Sequence, residues 1–252
     1  MEIKTILITQ ARTGSTRLPG KVLMEVNNTP LLKIHLDRLS KSKNVDKIIV
    51  ATTISEEDDI IEKLCAKWGY DVVRGSENDV LDRFYQSVKN IKPNWIVRVT
   101  SDCPLIDPHL VDDVIAFAQE NNIDYCSNTL VEKFPDGQDV EIFKFHALEY
   151  AWMNATKKSD REHVTPFIRE NSTNKNNTQF TAINFDIEYN YSNIRMTVDE
   201  QPDFDLINKI IKELGLGRSW LEYTEYIIKN KLLEINGNII RNEGYLKSLK
   251  ND

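Results

Sequence analysis

Residues 10–21 read Gln-Ala-Arg-Thr-Gly-Ser-Thr-Arg-Leu-Pro-Gly-Lys, so Arg12, Arg17 and Lys21 fall in one short stretch with no acid among them. Gly14 lets backbone approach a ligand closely, and Ser15 and Thr16 add hydroxyl and N–H donors. Such a segment suits a polyphosphate, and three cations match a triphosphate better than a single phosphate. Arg12 and Lys21 are expected as exposed loop cations. Two familiar phosphate loops are excluded by spacing. Walker A needs four residues between its glycines and Ser or Thr after its lysine, whereas five residues separate Gly14 from Gly20 and Val22 follows Lys21. The dinucleotide fingerprint needs a second glycine where Thr16 stands. The competing reading is a basic surface loop ending in a Pro19-Gly20 turn.

A phosphate loop works only on a rigid support, and residues 4–10 supply one. They are rich in β-branched types without polar alternation, the pattern of a strand covered on both faces. The spacing predicts further strands over 47–53, 71–74, 95–100 and 124–127, alternating with helices over 30–41, 56–68, 79–90 and 108–121. This is an α/β fold with a mostly parallel sheet between helical layers. Ligands then belong beyond the carboxyl ends of the strands, which selects residues 11–21, Thr52-Thr53 and Ser101-Asp102-Cys103-Pro104. After Phe134 the rhythm changes to a Pro135-Asp136-Gly137 turn, a strand over 140–143 and helices over 145–156 and 161–170. Strands over 179–186 and 193–198, helices over 202–214 and 220–230, and a hairpin over 233–241 around Asn236-Gly237 complete the pattern.

The chain has 252 residues, with 32 Lys plus Arg against 39 Asp plus Glu and a net charge of −7, which argues against a general nucleic-acid surface. At 40% hydrophobic residues it can bury a core. Cys65, Cys103 and Cys126 are odd in number and widely spaced, so they read as free thiols, with neither disulfide nor zinc site. The apolar run in residues 1–8 is too short for a signal sequence or a membrane span, giving the expectation of a cytoplasmic protein with no membrane partner.

The blocks together resemble a family. Ala11-Arg12 with Gly14-Ser15-Thr16-Arg17-Leu18-Pro19-Gly20-Lys21 is similar to the nucleotide signature of the cytidylyltransferases that activate acidic sugars, of the CMP-KDO synthetase and acylneuraminate cytidylyltransferase type. The spore coat polysaccharide biosynthesis protein F group is the nearest match. The resemblance extends through Arg74-Gly75-Ser76-Glu77-Asn78-Asp79-Val80-Leu81-Asp82-Arg83, Thr100-Ser101-Asp102-Cys103-Pro104, Pro135-Asp136-Gly137-Gln138-Asp139-Val140-Glu141, Arg161-Glu162-His163-Val164-Thr165-Pro166 and Thr197-Val198-Asp199.

The resemblance implies a three-layer, Rossmann-like nucleotidyltransferase fold with a small lid and dimerisation subregion. It implies transfer of CMP from CTP to a sugar acid or related phosphorylated acceptor, with release of pyrophosphate, in surface polysaccharide synthesis. Arg12, Arg17 and Lys21 would hold the triphosphate, with Ala11, Gly14, Ser15 and Ser101 beside it. Thr52, Thr53, Arg74 and Asp82 would wall the base, and Asp102 and Asp199 would bind Mg²⁺. Arg12, Lys21 and Asp102 would be catalytic. Asp136, Asp139, Glu141, Arg161 and His163 would meet the acceptor, and the protein would be a homodimer. On this reading 1–252 is one domain, with a nucleotide-binding half over 1–130, an acceptor and dimerisation half over 131–215 and a helical extension over 216–252.

Plainer roles stay open for several of these residues. Asp199 fits the cap of the following helix as well as a metal, Asp82 and Arg83 fit a solvated charge pair, and His163 fits a packed histidine. Two rivals also remain, a nucleotide-sugar-dependent glycosyltransferase and a non-catalytic nucleotide-binding protein. The Asp-x-Asp that the first would need is present as Asp203-Phe204-Asp205, but it sits at a helix start and reads as terminus charge.

Overall fold

A computed structural model of the chain describes residues 4–252; residues 1–3, the start of the opening apolar run, lie outside the described residues. β1 (Thr5–Gln10) leads through the cationic loop and a small ribbon, β2 (Glu25–Val26) and β3 (Thr29–Pro30), into α1 (Leu31–Leu39). β4 (Lys47–Thr53), α2 (Asp59–Trp68), β5 (Asp71–Gly75), α3 (Val80–Val88), β6 (Trp95–Arg98), α4 (Pro108–Asn121) and β7 (Tyr125–Ser127) follow. The remainder comprises β8 (Glu141–Lys144), α5 (Phe145–Asn154), α6 (Lys158–His163), α7 (Pro166–Glu170), β9 (Ala182–Asn184), α8 (Gln201–Leu214), α9 (Trp220–Lys229) and α10 (Glu243–Ser248).

Seven strands form one sheet in the order β5-β4-β1-β6-β8-β7-β9. β8 is antiparallel to both its neighbours, and every other pairing in the sheet is parallel. Because Arg98 of β6 stands opposite Glu141, the start of β8 lies at the carboxyl end of β6.

The pattern of β1 follows from its position. Ile6 and Ile8 pack on Phe84 and Val88 of α3 and Leu148 of α5, while Leu7 packs on Val111, Val114 and Ile115 of α4. A strand covered on both faces has no solvent side on which polar residues could alternate. Leu32 and Leu36 of α1 and Ile61 of α2 cover Val50 of β4. Truncating a side chain as deep as Phe84 to alanine costs about 3–5 kcal/mol.

Three expectations are corrected. Residues 193–198 form no strand: Ile194, Met196 and Val198 do alternate inward onto α8 and α9, but their neighbour is the 135–138 turn, bridged at Asp136 and Arg195. The 233–241 hairpin is replaced by a 3₁₀ turn (Leu232–Glu234), and the Asn236 amide instead donates to Asp203 at 2.8 Å and to the Arg195 carbonyl at 3.2 Å. The helix over 161–170 breaks into α6 and α7 at Val164, whose φ of 72° and ψ of −57° make a γ-turn in which Thr165 N–H donates to the His163 carbonyl at 2.8 Å. A β-branched residue held there is strained by about 1–3 kcal/mol. All three cysteines are buried free thiols, and among the described residues no helix is long and apolar enough to cross a membrane.

Candidate active site

A cavity of about 1080 Å³ opens beyond the carboxyl ends of β1 and β6 and the start of β8. Of the residues singled out in the sequence, Ala11, Arg12, Ser15, Arg17, Lys21, Ser101, Asp102, Asp136, Asp139, Glu141, His163 and Asp199 line it. Its volume accommodates a nucleotide with a second small molecule.

The cationic loop is fixed from beneath. The Thr13 carbonyl accepts from Ser15 N–H at 2.8 Å and Gly20 N–H at 2.9 Å, and Gly20 takes the left-handed φ of 69° that turns the chain into the next element. Buried Asp58, just before α2, accepts from both the N–H and the hydroxyl of Thr13 at 2.7 Å and from the Thr53 hydroxyl. Thr53 therefore supports the loop through Asp58 rather than facing the cavity. Asp58 was missed because an acid at a helix start is ordinary in sequence.

Each loop cation meets acids supplied by other elements. Arg12 pairs with Glu77, Arg17 with Asp199 at 3.0 Å and Glu243 at 3.4 Å, and Lys21 bridges Asp102 at 2.9 Å and Asp199 at 2.8 Å. Lys21 is not the exposed cation expected; its side chain is only 12% exposed, because the 3₁₀ turn (Lys21–Leu23) buries Val22 and turns the ammonium inward. Burial alone lifts a carboxyl pKa, but the Lys21 ammonium, with hydrogen bonds from Thr100 and Cys103, holds Asp102 well below the usual carboxylate range. Burial likewise opposes the charge on Lys21, and Asp102 and Asp199 together raise its pKa.

Asp199 is not the cap of α8. That role falls to Glu200, in a reciprocal capping box with Asp203, leaving the Asp199 carboxylate to face Lys21, Arg17 and, at 2.8 Å, Arg195. Arg195 also pairs with Asp136 and, at 2.9 Å, with Asp203. Asp203 is thus spent on capping and pairing. Gly137, with φ of 103°, lets the turn carrying Asp136 touch this segment; a Cβ there would stand 2.6 Å from Met196 C and Thr197 N.

On the far wall Glu141 accepts from Tyr125 and Thr165 hydroxyls, both at 2.6 Å, and pairs with Arg98. Asp139 pairs with Arg241 at 2.8 Å; burial, against that arginine and reinforced by Asp136 and Glu141, pushes its carboxyl up to about 7. His163 shares a hydrogen bond of 2.9 Å with the Ser248 hydroxyl, and burial with Arg98 and Arg169 nearby lowers its pKa to about 4.

Several expected residues lie elsewhere, because nearer partners claim them. Arg74 donates to the Thr53 and Ser55 carbonyls at 2.8 Å each and pairs with Asp59 at 2.7 Å and Glu62 at 2.8 Å. Asp82 accepts the Trp152 indole N–H at 2.8 Å and the Gln86 amide at 3.0 Å, tying α3 to α5. Arg161 grips Asp79 at 3.0 Å and the Trp152 carbonyl at 2.8 Å. Thr52 is buried with its hydroxyl unpartnered, and Gly14 does not line the cavity.

The sequence reading missed arginines on that lining. Arg83 is 2% exposed behind Arg12, with its pKa lowered to about 10 by burial and by Arg12; Gly75 makes room for its stem, since a Cβ there would meet Arg83 Cγ at 2.7 Å. Arg98 had a legible signal, a lone charge inside the apolar run Trp95-Ile96-Val97-Arg98-Val99. Arg169 had none, as helix-end arginines are common.

Two carboxylates facing one ammonium offer a hard oxygen donor pair, which fits a divalent cation that keeps waters and phosphate oxygens as its other ligands. Among the described residues no group of three or more His, Cys, Asp or Glu is placed to hold a metal, so the protein alone would not complete its coordination.

A profile of the family described as Cytidylyltransferase matches residues 6–239. An uncharacterized protein of Methanocaldococcus jannaschii is 42% identical over 94% of this chain and 96% of its own. The spore coat polysaccharide biosynthesis protein SpsF of Bacillus subtilis is 35% identical over 83% of this chain and 87% of its own. A solved cytidylyltransferase structure from Leptospira borgpetersenii superposes with a TM-score of 0.84 at 31% identity, covering 96% of this chain and all of that one.

Proposed function

This chain belongs to the cytidylyltransferase family, and on that premise we propose that it transfers CMP from CTP to a sugar-type acceptor for surface polysaccharide synthesis, releasing pyrophosphate. The observation that carries the reading is one loop turning Arg12, Arg17 and Lys21 into a cavity of about 1080 Å³, opposite Asp102 and Asp199. An acceptor oxygen attacks the α-phosphorus, the bond to the oxygen bridging the β-phosphorus breaks, and that oxygen leaves with the pyrophosphate. Such transfer is governed by positioning and by charge stabilisation. Arg12, Arg17 and Lys21 exchange their acidic partners for the triphosphate, while Ser15 and the neighbouring loop N–H groups orient it. Asp102 and Asp199, freed from Lys21, would hold a divalent cation, in our reading Mg²⁺, which would neutralise phosphate charge. Asp139 and His163 lie on the acceptor side, and the protein works as a homodimer.

Asp203 is buried against Arg195, which removes the Asp-x-Asp that a nucleotide-sugar-dependent glycosyltransferase would need. The test is pyrophosphate release with four nucleotides crossed against 2-keto sugar acids, sugar phosphates and polyol phosphates in the presence of Mg²⁺. Release with CTP and an acceptor, weakened in Arg12→Ala, is expected; CTP binding that Arg12→Ala and Arg17→Ala leave unchanged overturns the assignment.

A further inference from the structure

The far wall of the cavity carries guanidinium donors that it does not use. Arg98 spends one nitrogen on Glu141, and its buried Nε has no partner. Arg169 has no hydrogen-bond acceptor and no carboxylate at ion-pair distance among the described residues; its guanidinium lies 5.6 Å from the centroid of the Tyr245 ring. Glu141 is engaged by other groups, with Tyr125 and Thr165 on Oε1 and Arg98 on Oε2, and makes no hydrogen bond to Arg169. Lys158 and Glu162 bring one charge of each sign to the same lining. His163, packed edge-on against Tyr245 at 5.0 Å, adds no charge near neutral pH. Arg98 Nε and the Arg169 guanidinium, both on the cavity lining, thus keep donors that no acceptor among the described residues takes up in a partly dehydrated wall, which is where an anion gains most.

Resting on the cytidylyl-transfer reading above, we propose that Arg98 and Arg169 seat an anionic group of the acceptor, a carboxylate or a phosphate, and that Tyr245 of α10 holds Arg169 in place for it. The family profile ends at residue 239, before α10 begins at Glu243, so this aromatic wall comes from outside the matched region. Arg169 is a contact residue and Tyr245 a positioning residue.

The test uses the full chain loaded with a non-hydrolysable CTP analogue, so that the triphosphate seat is filled. Pyruvate and inorganic phosphate serve as probes in separate titrations followed through the Nε–H resonances of Arg98 and Arg169. Saturable shifts of both resonances at millimolar probe are expected. Binding should weaken about tenfold or more in Arg169→Gln, as for a lost charge-assisted hydrogen bond. Tyr245→Ala should weaken it too and Tyr245→Phe should restore it. A response to pyruvate alone assigns a carboxylate, to phosphate alone a phosphate, and to both a general anion seat. No saturable shift with either probe, or equal binding in Arg169→Gln, overturns the proposal. Calorimetry with CTP separates the two readings: anion binding without CTP binding removes the nucleotide reading and leaves this seat, and the reverse removes this seat alone.

Discussion

Replacing Lys21 with methionine keeps the apolar stem and removes the one charge between Asp102 and Asp199. Both carboxylate oxygens lie within 3 Å of the ammonium, at 2.9 and 2.8 Å. They are therefore no more than about 6 Å apart, and at an effective dielectric constant of about 20 their repulsion is about 3 kcal/mol. Arg17 and Arg195 stay on Asp199 and absorb part of it, so the expected loss at neutral pH is about 2–3 kcal/mol. The Asp102 contribution to the pH dependence should change sign. In the wild type Asp102 is held below its unfolded pKa, so its contribution is present above about pH 4 and is lost as pH falls. In Lys21→Met the remaining dominant influence is burial, which raises the carboxyl pKa. The deficit of the variant relative to the wild type should then shrink as pH falls from neutral towards about 4. Urea denaturation of both proteins across that range measures this, and calorimetry should show CTP binding weakened by about tenfold or more. Equal urea midpoints at neutral pH with parallel pH profiles would refute the electrostatic account of the site.

Two further outcomes are expected. His35 is fully buried between the Thr9 hydroxyl at 3.0 Å and the Cys103 carbonyl at 2.9 Å, and burial lowers its pKa to about 4. Below about pH 6.5 the unfolded chain takes up this proton first, so about 3 kcal/mol present at neutral pH is lost as pH falls towards 4; urea midpoints of His35→Gln should fall less steeply over that interval, and an equally steep fall would exclude the assignment. Gly137→Ala forces a Cβ within 2.6 Å of two backbone atoms at a φ of 103°, so it should cost about 2 kcal/mol or more and, by parting Asp136 from Arg195, lower pyrophosphate release further; a wild-type melting temperature with wild-type turnover would contradict this.

Much of the fold was legible because its signals are local. The uninterrupted apolar pattern of β1, the helical spacing in α1 and α4 and the sign reversal in the cationic loop each depend on neighbours in sequence. What escaped depends on distant partners. Residues 193–198 alternate like a strand, yet what they face is a turn sixty residues back in the chain, so no ladder forms. Arg74 and Asp82 match a nucleotide-site pattern by type, but Glu62 and Trp152 claim them. Lys21 reads as exposed from its sequence neighbours because its two acids, Asp102 and Asp199, lie far along the chain. Whether a charge faces a ligand or a counter-charge is decided by topology, which residue spacing does not encode.

Sheet order also constrains how the chain is made. β7 emerges from the ribosome before β8, yet β8 is the strand that joins it to β6. The nascent sheet therefore ends at β6 with a bare hydrogen-bonding margin until residues 141–144 arrive, and such a margin is a template for pairing with another chain. A fragment cut near residue 130 would keep that margin permanently, so the two halves recognised in the sequence should not survive as separate soluble pieces.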